Sequence, residues 1–124
     1  MNSLTLAYLG DSVYEIYVRS FLIKKGIVKV NNLQKEAVKY VSARGQAKYL
    51  KKLIENNILT LEEINVVKRA RNHKTISHPK NTDIITYKLA TGLEALIGYL
   101  KINNNEKRID EIMNYILKEE DKKC

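Results

Sequence analysis

The chain is small and basic. Its 124 residues, 44% hydrophobic and 29% charged, suffice for one domain but not for two of ordinary size. A formal net charge of +8 favours a polyanionic partner such as nucleic acid. No apolar run approaches the ~20 residues of a membrane span, no secretory signal is present, and a single cysteine excludes a disulfide framework. We therefore expect a cytoplasmic protein that does not enter a membrane.

The spacing of apolar residues predicts an all-α fold. Between the single proline and the five glycines, apolar residues recur every three or four positions, which is the helical period. The first helix should run from about Leu4 to Ile23 and stop near Gly26. Five residues are expected to form its inner stripe: Leu6, Leu9, Val13, Ile16 and Ser20. Asp11 lies beside that stripe.

Capping residues mark the next three helices, which should span about residues 31–40, 42–55 and 60–72. Asn31 or Asn32 can cap the second helix, and Ser42 can start the third. Thr60 and Glu63 have the spacing of a capping box, which predicts the start of the fourth.

The interval 73–82 has no helical stripe and contains turn residues, so it is expected to be a loop. Thr82 or Asp83 can cap a long helix over about Ile84–Ile102. Five apolar residues should make this the central buried helix: Leu89, Leu93, Leu96, Ile97 and Leu100. A last amphipathic helix follows, and its inner side is expected to comprise Ile109, Ile112, Met113, Ile116 and Leu117.

Two acidic residues stand in small, apolar frames that are typical of buried helix faces. Asp11 follows Gly10, and Glu94 lies between Gly92 and Gly98. A carboxylate on a buried face is costly unless it is hydrogen-bonded, paired or bound to metal. We interpret the two as ligands of one magnesium ion, which often takes only one or two protein carboxylates. Alternatively, they are surface residues or ion-pair partners of Arg19 or Lys88.

The two acidic segments also resemble those of a known family. The runs Gly10-Asp-Ser-Val13 and Leu93-Glu-Ala-Leu-Ile-Gly98 resemble the signature stretches of the ribonuclease III catalytic domain. The run Pro79-Lys-Asn-Thr-Asp83 resembles the small members that lack a double-stranded-RNA-binding domain. The resemblance implies one all-α endonuclease domain over residues 1–124, which cuts double-stranded RNA as a homodimer.

The same resemblance implies roles for individual residues. Asp11 and Glu94 match the aspartate and glutamate that bind catalytic magnesium in the family. The products would carry 5′-phosphate and 3′-hydroxyl ends, and the substrate would be precursor large-subunit (23S) ribosomal RNA, with a ribosomal protein assisting. Family members usually have further acidic residues where this chain has Ala7 and Thr91. Glu15, one turn after Asp11, could share its face.

Between Glu63 and Asp83 the chain carries no acidic residue and its clearest run of positive charge. A helix end and loop of this charge can follow a phosphate backbone, whereas the alternative is an ordinary solvated helix end. Including one residue of the third helix, the predicted RNA contacts are Arg44, Lys68, Arg69, Arg71, Asn72, His73, Lys74, Lys80, Asn81 and Thr82.

The first helix is also the candidate for a dimer interface, because its large apolar residues cover more faces than one core needs. Two centres related by a two-fold axis would suit the two strands of an RNA duplex. The predicted interface residues are Tyr14, Tyr17, Val18 and Phe21.

Two other functions remain open at this point. A non-catalytic RNA-binding or ribosome-associated module would explain the basic surface and the absence of acids at Ala7 and Thr91. A helix-turn-helix DNA-binding protein would explain the charge and the helices, but it would leave Asp11 and Glu94 without a role.

Overall fold

The computed structural model describes residues 1–73 and 83–121, and within these ranges the chain forms helices and no strand. The all-α prediction is confirmed. The helices are α1 (Ser3–Lys24), α2 (Val30–Val41), α3 (Ala43–Glu55), α4 (Leu61–Arg71), α5 (Ile84–Ile102) and α6 (Glu106–Asp121). None of these described helices has the length and apolarity that crossing a membrane requires.

Three helix starts have the predicted capping residues, whereas the prediction for α2 is wrong. Asn31 and Asn32 lie inside α2, which begins after Lys29 without a side-chain cap. The Ser42 side chain accepts a hydrogen bond from a backbone amide in the first turn of α3. Thr60 and Glu63 form the reciprocal capping box of α4. Asp83 caps α5 and accepts from the Thr86 amide at 2.8 Å. These local hydrogen bonds satisfy amides that a helix leaves without partners in its first turn.

Helix α5 is the centre of the fold, since it packs against α1, α3, α4 and α6. All five apolar residues predicted for its inner side are buried. The five residues predicted for the inner side of α6 are buried as well. Both predictions are confirmed.

The backbones of α1 and α5 touch where they cross. A Cβ atom added to Gly10 would lie 1.7 Å from the Glu94 carbonyl oxygen, and one added to Gly98 would lie 1.9 Å from the Leu6 carbonyl oxygen. Only glycine allows this approach. Gly92 faces α4 instead, where its added Cβ would meet a Val67 side-chain atom at 3.0 Å.

The predicted inner stripe of α1 is only partly correct. Ile16 is 65% exposed and Ser20 is exposed, whereas Leu6 is buried as expected. The residues of α1 that are buried are Leu6, Ala7, Gly10, Tyr14, Val18 and Leu22. The contact between Gly10 and α5 fixes this face, because it is the side on which the two backbones can meet.

A buried ion pair joins α4 to α6. Glu63 is 5% exposed, and its two carboxylate oxygens each accept a hydrogen bond from Arg108 at 2.8 Å. Arg108 also donates to the Ile58 carbonyl oxygen at 2.6 Å. Burial alone would raise the pKa of Glu63, but the hydrogen bonds from Arg108 and Thr60 outweigh it and the net pKa is lowered.

We expect Arg108→Met to lower the free energy of unfolding by about 2 kcal/mol at pH 7, because it leaves the Glu63 carboxylate buried without its cation. The guanidinium of Arg108 is partly hydrated in the folded protein, which limits the loss. A carboxyl group whose pKa is lower in the folded state stabilises the fold at any pH above its unfolded-state pKa. This contribution is lost as the pH falls through the folded-state pKa. The difference between variant and wild type should therefore shrink below about pH 4. Urea unfolding at pH 7 and pH 3 measures both effects.

Lys39→Met is the matched control, since Lys39 pairs with Glu36 on the exposed surface of α2. Exposed pairs of this kind contribute between zero and about 1 kcal/mol. Equal losses in the two variants at pH 7 would contradict a stabilising role for the buried pair.

Candidate active site

Asp11 and Glu94 lie in the same cleft, between α1, α3 and α5. The cleft has a volume of about 580 Å³, and Gln46 and Tyr87 also line it. Asp11 follows Gly10 directly, and the Glu94 carbonyl is the group that Gly10 contacts. The close crossing of α1 and α5 therefore brings together two acids that are 83 positions apart in the sequence.

The two carboxyl groups interact electrostatically. Burial raises the pKa of Glu94 to about 8, with further contributions from a shared hydrogen bond with Asp11 and from the negative charge of that carboxylate. Asp11 itself is exposed, so the expectation that both acids lie on buried faces is wrong for Asp11. Glu94 is half-buried. The raised pKa favours a proton on the pair when no cation is bound, and a bound cation would favour its release.

The other acidic groups of the cleft are few. Across the described ranges, no three Asp, Glu, His or Cys side chains converge to hold a metal ion. Ala7 and Thr91 both line the cleft, so carboxylates at those positions would join the pair. Glu15 forms an ion pair with Arg19 at 3.0 Å, and its negative charge contributes to raising the pKa of Glu94.

Gln46 is a cleft residue that the sequence analysis missed. It is 2% exposed, and its Nε2 atom donates to Glu94 Oε2 at 3.5 Å, the long end of the hydrogen-bond range. The sequence does contain a signal for this residue. Gln46 precedes Leu50 and Leu53 by four and seven positions, which places it on the same buried stripe of α3. A polar residue on such a stripe points to a buried partner.

Two basic regions flank the cleft, and they contain the predicted RNA contacts that the structure describes. In the first region, Ala70 of α4 packs in one apolar cluster with Ala7, which places the basic last turn of α4 beside this end of α1. The described members of that turn and its exit are Lys68, Arg69, Arg71, Asn72 and His73. Lys74, Lys80, Asn81 and Thr82 lie outside the described residues.

The second region is a basic face of α3, defined by Arg44, Lys48, Lys51 and Lys52, of which Arg44 is the predicted RNA contact. These residues line one surface hollow of about 340 Å³ together with Glu55 and with Thr86 at the start of α5. Ala43 and Gln46, in the same first turn of α3, line the acid cleft. The basic face therefore begins where the cleft ends.

The predicted dimer interface needs correction at two residues. Tyr14 is fully buried and donates a hydrogen bond to the Tyr40 carbonyl oxygen at 2.7 Å. Val18 is also fully buried in the core of its own chain. Neither can contact a second subunit while this fold is intact. Tyr17 and Phe21 are half-buried, and Tyr17 donates a hydrogen bond to Asp110 of α6.

Comparison with known proteins identifies the family to which this fold belongs. The model of the ribonuclease III domain matches residues 4–105. Mini-ribonuclease 3 of Enterococcus faecalis is 42% identical over 118 residues, which cover 95% of this chain and 89% of the relative. Mini-ribonuclease 3 of Brevibacillus brevis is 54% identical over 112 residues, 90% of this chain and 82% of the relative.

A solved structure shows the same fold. The crystal structure of a protein from Fusobacterium nucleatum superimposes with a TM-score of 0.84 at 35% identity, covering 97% of this chain and 94% of the other. The chain belongs to the ribonuclease III family and is an endoribonuclease. Within that family, the relatives it matches over most of their length are Mini-ribonuclease 3 proteins.

Proposed function

We propose that the chain is a magnesium-dependent endoribonuclease that cuts double-stranded RNA as a homodimer, in the maturation of precursor 23S ribosomal RNA in the cytoplasm. The observation that carries this proposal is the meeting of Asp11 and Glu94 in one cleft, beside a basic surface. The Mini-ribonuclease 3 relatives support it, since the chain matches them over most of their length.

The donor set of the cleft fits magnesium. Two carboxylates and open space for water and a phosphate oxygen are what this ion commonly uses in proteins. Asp11 and Glu94 would hold it, and when bound it supplies positive charge against the phosphate and a more acidic water. A bound cation would favour the ionised form of Glu94, against the burial and the Asp11 charge that raise its pKa.

The residues of the chain divide the remaining tasks. The exposed Asp11 carboxylate is accessible to solvent and substrate, whereas Glu94 is held within the cleft wall. The basic face of α3 and the basic last turn of α4 bind the RNA backbone through its phosphates. Contacts of this kind place a duplex without reading its sequence, as is usual for double-stranded RNA.

We expect the double variant Arg44→Ala/Lys51→Ala to bind duplex RNA less tightly and with a weaker dependence on salt. Both residues are exposed on the basic face of α3. Each lost phosphate contact should reduce the slope of log Kd against log salt by about one, so the double variant should lose about two. Fluorescence anisotropy with an RNA duplex in chelator, over a series of salt concentrations, measures the slope.

The charge-matched control is Lys35→Ala/Lys107→Ala, which removes two exposed lysines from α2 and α6. If this control changes the slope as much as Arg44→Ala/Lys51→Ala does, binding depends on net charge and not on the face of α3.

The homodimer requires a surface other than Tyr14 and Val18. The exposed side of α1 carries three large apolar residues: Tyr8, Ile16 and Ile23, which are 85%, 65% and 53% exposed. We place the two-fold contact on this side, because exposed apolar surface of this kind is typical of an interface. Analytical ultracentrifugation should show a dimer for the wild type and a monomer for Ile16→Glu. A monomeric wild type would contradict the dimer.

The proposed activity is tested on the wild type by incubating long RNA and DNA duplexes of the same sequence with magnesium or with chelator. We expect cutting of the RNA duplex only, with magnesium only, and products that carry 5′-phosphate ends. Preferential binding of the DNA duplex, or RNA binding without cutting at any magnesium concentration, would refute the proposed function.

The physiological substrate needs a separate experiment. A precursor 23S transcript with both flanking strands paired should be cut within the flanking duplex, and supplying a large-subunit ribosomal protein should raise the rate. If a random duplex of equal length is cut faster than the assembled precursor, the proposed ribosomal role fails while the endoribonuclease activity stands.

A further inference from the structure

Gln46 is a buried polar side chain that contacts the acid pair. It is 2% exposed, and its amide nitrogen lies 3.5 Å from an oxygen of Glu94. Burying an amide costs free energy unless its hydrogen bonds are made. Leucine has a similar volume and would fill the same space without that cost. Packing alone therefore does not account for a glutamine at this position.

The start of α3 holds Gln46 firmly in place. Its backbone amide donates to the Ser42 carbonyl oxygen at 2.9 Å. Gly45 packs so closely on the end of α2 that an added Cβ would lie 2.2 Å from the Lys39 carbonyl oxygen. The Gln46 side chain thus approaches Glu94 from a third, fixed helix, which carries neither member of the acid pair.

We infer that Gln46 is a positioning residue for the metal centre, and that its amide N–H holds one oxygen of Glu94 so that the other is turned towards the cation. This inference rests on the proposed function. Partners that orient a ligating side chain are a regular part of metal sites. Ala7 and Thr91 stand in the cleft at positions where carboxylates would join the pair. The Gln46 amide is a neutral donor, so it can fix Glu94 without adding negative charge.

The test is Gln46→Leu, with Mn²⁺ alone as the probe. Binding of Mn²⁺ to the RNA-free protein, followed by electron paramagnetic resonance, should weaken by about 10-fold or more. The magnesium concentration that gives half-maximal cleavage of an RNA duplex should rise by a similar factor. Binding of the duplex in chelator should not change, because Gln46 is buried beneath the surface that meets RNA.

Tyr14→Phe is the matched control, since it removes a buried hydrogen bond from a residue that does not line the cleft. The Tyr14 hydroxyl donates to the Tyr40 carbonyl oxygen at 2.7 Å. Thermal unfolding of both variants corrects for general destabilisation. If Gln46→Leu does not fold, Gln46→Asn is measured in its place, because the shorter side chain loses the contact with Glu94 but remains polar.

The outcomes separate this inference from the proposed function. If the wild type binds Mn²⁺ and cuts RNA, but the glutamine variant that folds binds Mn²⁺ within about twofold of Tyr14→Phe, Gln46 has no positioning role. A wild type that neither binds Mn²⁺ nor cuts RNA would refute the proposed function together with the inference.

Discussion

Asp11→Asn and Glu94→Gln should each slow the cleavage of duplex RNA by about 1,000-fold and leave duplex binding within a few-fold of the wild type. Each variant removes one carboxylate of the cleft and keeps the shape of the side chain. A metal ion contributes several kcal/mol to the stabilisation of charge in the transition state, and each 1.4 kcal/mol is about tenfold in rate. Single-turnover cleavage with saturating magnesium, and duplex binding in chelator, measure the two effects.

Glu106→Gln is the control for the loss of one negative charge. Glu106 is exposed at the start of α6, where it pairs with Lys101 of α5. It should cut RNA at the rate of the wild type. Loss of RNA binding in Asp11→Asn or Glu94→Gln, in step with the loss of cleavage, would contradict a role restricted to chemistry.

Gly98→Ala should be the most destabilising single-methyl addition in α5, with a loss of about 3 kcal/mol or more in the free energy of unfolding. The new Cβ would lie 1.9 Å from the Leu6 carbonyl oxygen, and neither backbone can move without separating α1 from α5. Overpacking in a core ordinarily costs about 1–3 kcal/mol, and here the clash is with backbone rather than with a side chain. Urea unfolding followed by circular dichroism gives the value.

Gly92→Ala makes the same chemical change six positions earlier in the same helix. Its Cβ would meet a Val67 side-chain atom at 3.0 Å and the Val67 carbonyl oxygen at 3.3 Å, so these neighbours need to move by only a few tenths of an ångström. Replacing a helical glycine by alanine also gains about 0.5–1 kcal/mol of helix stability, so this variant should be close to neutral. If the two variants lose equal stability, the close crossing of α1 and α5 does not set the cost.

The starts of α3, α4 and α5 were predictable from their capping residues, and α5 was predictable as the central helix. Ser42, Thr60 and Asp83 bond to amides within their own first turns, so no distant part of the chain is needed to place those helix starts. Helix α5 is apolar on most sides, and a helix of that kind is buried whichever neighbours it has.

The buried face of α1 was harder to predict, since its apolar residues surround the helix. Spacing alone permitted the stripe with Ile16, although the fold buries Tyr14 and Val18. Gly10 was the neglected signal. A glycine inside a helix reduces its stability, and it is justified where another backbone comes close. Steps of four residues from Gly10 lead to Tyr14, Val18 and Leu22, which are the buried residues.

The same error explains the failed interface residues, because Tyr14 and Val18 belong to the core that Gly10 orients. The acid pair was predicted from its sequence frames and from the family resemblance, but its third neighbour was not. Gln46 comes from α3, and only tertiary packing brings that helix to Glu94. Periodicity can mark a polar residue on a buried stripe, but it does not identify the partner.

The contact between Gly10 and the Glu94 carbonyl has a consequence for how the enzyme opens. The acid pair is attached to the tightest contact between the two longest helices, so these backbones cannot separate locally without breaking the core. Amides near Asp11 and Glu94 should therefore exchange hydrogen with solvent only by global unfolding. The two acidic side chains therefore stand on one rigid framework before any substrate arrives.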